Sequence, residues 1–325
     1  MSVVSYPHVG SEVIEACIGE GTDYVDTSGG PAMQLEWINK YHEKAVAAGV
    51  IVIIACGVLT AAYDIIAWAA TRQLADKHAL ETGEVIVVGL ETPIEISGGT
   101  ADSIASEYST RSAEEMKQSL EEPWYLSPKK GIQTSTSASD FGMRRDSHFG
   151  LLALSGFLNQ NRSVVHRTWG LLNGRVDGFG PNFQYNEFAP ASSAFNGFLQ
   201  WIGGRISNVM TSTPLGIKLI QRLTPSVGEG PDVEKSRTLN MKLEAHAISD
   251  IQPGTQQRRS RATFAYPAGP YVVTGVLLAE GAATLLYDRK IEGCLTSGLL
   301  TPAALGQGLV DRLRKVGATI EVGDV

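Results

Sequence analysis

Residues 50–70 read VIVIIACGVLTAAYDIIAWAA, and this stretch decides the fold class. By length it could span a bilayer. Gly57, Thr60, Tyr63 and Asp64 interrupt it, however, and an ionisable residue at mid-span is costly in lipid. The β-branched run Val50–Ile54 fits a buried parallel strand instead. The stretch therefore divides into a strand at Val50–Ala55, a loop at Cys56–Thr60 and a helix from about Ala61 to Lys77. Upstream, Gln34 to Ala48 is an amphipathic helix ended by Gly49, Tyr24-Val25-Asp26 is a short strand, and Ser11 to Ile18 is a helix closed by Gly19 and Gly21. Helix and strand alternate, which is the signature of an open parallel α/β sheet. Ligands of such sheets sit beyond the carboxyl ends of the strands. Asp26–Gly30 and Cys56–Thr60 lie at such ends.

The pattern changes downstream. Glu84–Glu91 is strand-like, Thr100–Glu107 and Ser112–Leu120 are helical, and a polar loop follows to Asp140. Residues 238–249 and 259–266 alternate apolar and polar, as antiparallel neighbours in a half-buried sheet do, with a turn at 251–257 between them. Thr274–Tyr287 and Pro302–Val316 are helical. Residues 195–223 carry two apolar stretches with scattered Arg and Lys, which read as a helix pair on the core or as a surface flap at a membrane interface.

Composition narrows the function. The chain has 325 residues, 43% hydrophobic and 19% charged, with a formal net charge of −7. An acidic chain without a basic block is a poor ligand for nucleic acid. The Arg258, Arg259 and Arg261 group is short and expected to be solvated. Three scattered cysteines and no paired-His motif argue against disulfides and zinc, and point to a reduced, cytoplasmic protein.

Several segments in order resemble the saccharopine-dehydrogenase-like proteins, which include trans-acting enoyl reductases. They are VIEACIGEGTDYVD (13–26), YHEKAVAAGVIVIIACG (41–57), SGGT (97–100), PWYLSP (123–128), QNRSVVHRTW (160–169), GPNFQYNEF (180–188) and the closing GLLTPAALGQGLVDRLRKVGATIEV (298–322). The resemblance implies a Rossmann domain, an inserted α/β domain with a mixed sheet, and C-terminal helices returning to the first domain. The expected fold is therefore α/β. A truncated Rossmann-like parallel sheet (1–77 and 276–325) is joined to an inserted α/β domain with a mixed, largely antiparallel sheet (78–275).

The resemblance also implies a Gly-rich dinucleotide turn, and no GxGxxG in a βαβ setting occurs in the sequence. Where relatives often read GFDS-x-PSD, this chain keeps Gly57 and Asp64 but rewrites the residues between. These departures favour a cofactor-independent enzyme of natural-product metabolism. Its apolar cleft would fold a lipophilic small molecule for cyclisation or isomerisation of the Diels–Alder type. An NAD(P)-dependent enoyl reductase or dehydrogenase with an incomplete N-terminus (cofactor NADP) and a non-catalytic scaffold are the alternatives. A homodimer covering an exposed sheet edge is also expected.

Tyr63 and Asp64 form a candidate donor–acceptor pair past a strand end, with an Asp cap or bridge as the structural counterpart. Asn161 and Arg162 fall in the stretch similar to the family's INTR, where Arg could grip a carboxylate or pair structurally. Thr60, Tyr185, His166, Trp169, Arg144 and Asp26 are candidate substrate contacts. Helical spacing places His166 and Trp169 more readily in the core, and Arg144 with Arg145 reads as a pair on the approach to a helix. No GxSxG nucleophile occurs.

Overall fold

The computed structural model describes residues 6–139, 141–175, 178–211, 213–250, 256–288 and 295–325. Cys294 and most of the turn expected at 251–257 lie outside them. In chain order, α1 (Tyr6–Gly19), β1 (Tyr24–Val25), α2 (Pro31–Ala48), β2 (Ile51–Ile53) and α3 (Val58–His78) form the opening alternation. There follow β3 (Thr82–Glu91), α4 (Gly98–Thr110), α5 (Ala113–Glu121), the pair β4 (Met143–Asp146) and β5 (Gly150–Leu154), α6 (Leu158–Leu172) and β6 (Gln184–Pro190). Then come α7 (Ala194–Thr211), α8 (Pro214–Leu223), the short α9 (Val233–Ser236), β7 (Met241–Ser249), β8 (Arg259–Tyr266) and α10 (Pro270–Tyr287). The chain closes with β9 (Gly298–Leu300), a 3-10 turn at Pro302–Leu305, α11 (Gly306–Lys315) and β10 (Thr319–Asp324).

The strands build two sheets. The small one is parallel, in the order β1-β2-β9. The large one runs β10-β8-β7-β3-β6-β5-β4 and is antiparallel except where β3 lies parallel to β6. An α/β fold with a small parallel sheet and a mixed, largely antiparallel one is the architecture expected from the sequence. The alternating stretches pair as β7 and β8, with His246 opposite Arg261.

The 50–70 stretch resolves as β2 and the first part of α3. The first part of α3 is largely apolar on all sides, and nearly every residue from Val58 to Thr71 is buried, before the helix ends in the polar turns of Arg72–His78. A helix apolar on all sides must be enclosed, in lipid or in protein. Here it is enclosed in protein, packed against β7, β8, α6 and α10. Among the described residues one helix, α10, is long and apolar enough to cross a membrane by length and composition, and a third of it is buried. Helix α2 stops where Gly49 adopts φ 66°, a left-handed geometry that glycine takes at little cost.

Two local expectations are corrected. Arg144 and Arg145 lie on strand β4, not on the approach to a helix, because β4 and β5 close a hairpin through the turn after Asp146. Arg259 is not merely solvated: its guanidinium donates to both carboxylate oxygens of Asp146, at 3.1 and 2.8 Å.

Candidate active site

The carboxyl end of β2 carries a strained residue. Ala55 has φ 61°, which a non-glycine residue adopts at some energetic cost. Its N–H faces the Asp26 carboxylate at 3.3 Å. Asp26 also accepts from the Ser28 backbone N–H (2.9 Å) and hydroxyl (2.7 Å). Burial raises its pKa to about 6 against the pull of those donors. Asp26 therefore organises the loop beyond the small sheet.

Helix α3 begins directly after this loop, so its first two turns face the large sheet. Tyr63 reaches the carboxyl end of β3: a Cβ added at Gly89 would sit 3.1 Å from its hydroxyl and 3.0 Å from Thr92. The absent side chain at Gly89 thus makes room for the phenol. Burial, then the charge of Glu187, raises the Tyr63 pKa well above its usual value, so the phenol stays neutral.

Strand β6 brings the partners. Tyr185 and Glu187 are two residues apart, so both side chains leave the same face of the strand. The Tyr185 hydroxyl donates to Glu187 Oε2 at 2.9 Å, and Asn161 Nδ2 at the start of α6 donates to the same oxygen at 2.8 Å. Glu187 is completely buried, and burial lifts its pKa to about 7 despite the donors from Ser155, Asn161 and Tyr185. Its Oε1 and the Asn161 Oδ1 are both buried without a hydrogen-bond partner. Such unsatisfied acceptors are rare enough in folded proteins to call for an explanation. Thr60, one turn before Tyr63, accepts from Gln160 Nε2 at 3.3 Å, next to Asn161. Tyr63, Asn161 and Tyr185 thus converge around Glu187 where α3, α6, β3 and β6 meet, while Thr60 is tied to the start of α6 through Gln160. Glu187 was not singled out in the sequence, although period-two spacing from Tyr185 puts it on the same face.

Other candidates point elsewhere. Asp64 faces away from Tyr63, accepting from the Thr168 hydroxyl (2.6 Å) and the Ala303 N–H (2.9 Å), and burial raises its pKa to about 7. It ties α3 to α6 and to the 3-10 turn. Arg162 donates to Asn159 at 3.2 Å, and burial lowers its pKa to about 10. His166 lies flat on Trp124, ring centres 3.8 Å apart, and donates from Nδ1 to the Pro123 carbonyl at 2.6 Å. Burial lowers its pKa to about 3, so it is neutral. Trp169 donates to the Gly180 carbonyl at 2.7 Å in the same core region. Arg144 forms a two-pronged pair with Glu84, away from the cluster.

Two further groupings escaped the sequence reading. Arg167 is buried and donates to the carbonyls of Leu126 (2.8 Å) and Leu299 (2.6 Å), joining α6 to β9. On the second face of the large sheet, His148, Glu244 and His246 bring one ligand atom each within 4.8 Å of one another; Glu244 and His246 are neighbours on one face of β7, and His148 comes from the turn after β4.

Two depressions among the described residues lie away from the cluster. One, of about 430 Å³, is lined by α2 residues with Arg111, Glu115 and Tyr125; the other, of about 220 Å³, lies between α1, β1 and Leu278. The Glu187 cluster is closed, with half-buried Thr92 beside the Tyr63 hydroxyl.

No protein-family model matches the chain. A protein of Mycobacterium tuberculosis named as a trans-acting enoyl reductase is 27% identical over 339 residues, covering 98% of this chain and 78% of its own length. Trans-acting enoyl reductases of Mycobacterium bovis and Mycobacterium ulcerans are also 27% identical, over 341 and 339 residues, with the same two shares. The chain is similar to trans-acting enoyl reductases along nearly its whole length. This overturns two expectations. A cyclase or isomerase of the Diels–Alder type conserves the redox state of its substrate, whereas the relatives are named for a reduction. The expected absence of a cofactor falls with it, because reducing an enoyl group needs an electron donor. Both expectations were inferred from a motif that is missing, and similarity across the whole chain outweighs that.

Proposed function

We propose that this chain is an enoyl reductase acting in trans, saturating the α,β double bond of an acyl chain presented by a separate protein. The observation that carries this reading is the similarity over 98% of the chain to proteins of that name, which spans both sheets and the cluster between them.

The chemistry of the cluster supports it. Adding hydride to the β-carbon of an enoyl group builds negative charge on the carbonyl oxygen, and the α-carbon must then take a proton. A phenol held neutral in a dry site is suited to donate to that oxygen, and we assign this role to Tyr63. A carboxyl with a pKa of about 7 divides between its two forms at neutral pH, as proton transfer requires. Glu187, hydrogen-bonded to Tyr185, is assigned the α-carbon proton. Asn161 holds Glu187 in place, and Asp64 fixes α3 and so the position of Tyr63.

The name implies a reduced nicotinamide dinucleotide as hydride source. A diphosphate is commonly held by backbone N–H groups at an open helix N-terminus. The starts of α2 and α3, which follow β1 and β2, are already taken. Glu107 accepts from the Met33 N–H at the start of α2 (3.1 Å), and the Thr274 hydroxyl accepts from the Val58 N–H at the start of α3 (3.1 Å). A Cβ at Gly30 would collide with the Glu107 carboxylate, which leaves no space there for a phosphate. These helix starts do not fit a diphosphate, and the chemistry assigned to this chain is confined to the substrate.

The test is turnover of an enoyl thioester by the intact protein with NADPH, compared with Tyr63→Phe and Glu187→Gln. Loss of kcat in both variants with folding intact supports the assignment. Unchanged kcat in both overturns it.

A further inference from the structure

The pair α7–α8 is built on the core by one face only. Gly197 is the buried contact, where an added Cβ would strike Met143, and the half-buried Phe198 and Trp201 pack edge-on against the exposed Phe141 at ring-centre distances of 6.0 and 5.8 Å. The opposite face of α7 presents Phe195, Leu199, Ile202 and Ile206 to solvent. Their spacing of four, three and four residues aligns them along a single stripe. Helix α8, packed against α7, carries an exposed stripe of its own, Leu215, Leu219 and Leu223 at intervals of four. These seven side chains are between 37% and 80% exposed. Single exposed apolar residues are ordinary, but an aligned set on two adjoining helices marks a contact surface.

Charge says what the surface meets. Between Glu187 and Glu229 the sequence contains no acidic residue, while Arg205, Lys218 and Arg222 lie within α7 and α8. This occurs in a chain with a formal net charge of −7. Arg205 lies over the Trp201 ring at 5.4 Å, on the shoulder of the stripe. An apolar stripe bordered by cations and free of anions is the pattern of a helix lying in the headgroup layer of an anionic bilayer. The long basic side chains can reach phosphates while the leucines enter the acyl boundary.

The surface also adjoins the loop above the candidate site. Beyond α8, the Glu229 carbonyl accepts from the Gly98 N–H at the start of α4 (3.0 Å). The chain between β3 and α4, which begins beside Tyr63 at Thr92, ends at that point. We propose that α7 and α8 dock the protein on an anionic lipid surface, with the apolar stripe inserted and the three basic side chains on the headgroups. This does not depend on the enoyl reductase reading.

The test is co-sedimentation of the intact protein with vesicles of phosphatidylcholine alone and of phosphatidylcholine with a quarter phosphatidylglycerol. Binding to the anionic vesicles should be about tenfold or more tighter, and weakened by high salt. A Leu199→Glu, Leu219→Glu double variant should lose binding by about tenfold or more while keeping its circular dichroism spectrum. Lys218→Glu with Arg222→Glu should abolish the preference for anionic vesicles. The proposal is overturned if the wild type stays in the supernatant with anionic vesicles, or if the double variant pellets as the wild type does. It is also overturned if the same double variant instead dissociates a dimer of wild-type chains that does not bind vesicles, which would make the stripe an interface between copies.

Discussion

Replacing Glu187 by Gln tests the electrostatics of the candidate site directly. The carboxyl is fully buried, with a pKa of about 7 in the fold against an ordinary value of 4.5. An acid whose pKa is raised on folding holds its proton more tightly in the native state. Its contribution to stability is fully present below about pH 4.5 and is lost as pH rises through about 7. Integrated between about pH 5 and about pH 8, that loss is about 2–3 kcal/mol. Gln is nearly isosteric and does not titrate, so Glu187→Gln lacks this term. The stability difference between wild type and variant should therefore shift by about 2–3 kcal/mol toward the variant over that interval. Subtracting the variant removes the parallel contributions of Asp64 and Asp26, whose pKa values are also raised by burial. Urea unfolding of both proteins at the two pH values measures it. A shift under about 1 kcal/mol would mean that Glu187 titrates almost normally, and the site as described would not exist.

The other expectations follow the same contacts. Tyr63→Phe removes one hydroxyl and should lower kcat by about a hundredfold or more with little change in unfolding midpoint; retained activity removes Tyr63 from the chemistry. Arg167→Leu strands the buried Leu126 and Leu299 carbonyls and should destabilise the fold by about 2–5 kcal/mol in chemical denaturation, and a cost under about 1 kcal/mol would contradict its bridging role. The paired donors of Arg259 hold Asp146 well below the usual carboxylate range. Its contribution is thus present above its ordinary pKa and is lost as pH falls. Asp146→Asn should cost about 1.5–3 kcal/mol at neutral pH and progressively less in acid, and a cost independent of pH would refute the pairing.

The parts of the fold that were legible in sequence are those with a strong local period. The β-branched run and the all-round apolar helix of residues 50–70 gave β2 and α3, because a strand and a helix buried on every side leave no polar face to mislead. Residues 238–249 and 259–266 were readable as a sheet pair from a partial apolar–polar alternation, but the half-buried sheet expected from it is corrected for β7, which is buried on both faces at every position except Lys242. Strand β4 was not readable: Met143–Asp146 is polar, and it is a strand only because Gly150–Leu154 folds back beside it. The site was half visible. Tyr63 stood out past a strand end, and Asn161 and Tyr185 fell in segments resembling those of the reductases, but Glu187 looked like one more charged residue until the fold enclosed it. Asp64 sits beside Tyr63 in sequence and opposite to it in space, since successive helical residues differ by about 100° in direction. The functional inference failed differently. It weighed the missing Gly-rich turn and the rewritten 57–64 loop above the similarity of the remaining segments, whereas the match to named reductases runs through all of them.

The most direct measurement is the stoichiometry of reduction. The intact protein is mixed with an enoyl thioester and NADPH, and the oxidised nucleotide and the saturated thioester are both quantified. The account expects them to form in equal amounts, with neither appearing in Tyr63→Phe at a comparable rate. A folded protein that leaves the enoyl thioester unreduced with NADPH and with NADH alike would contradict it.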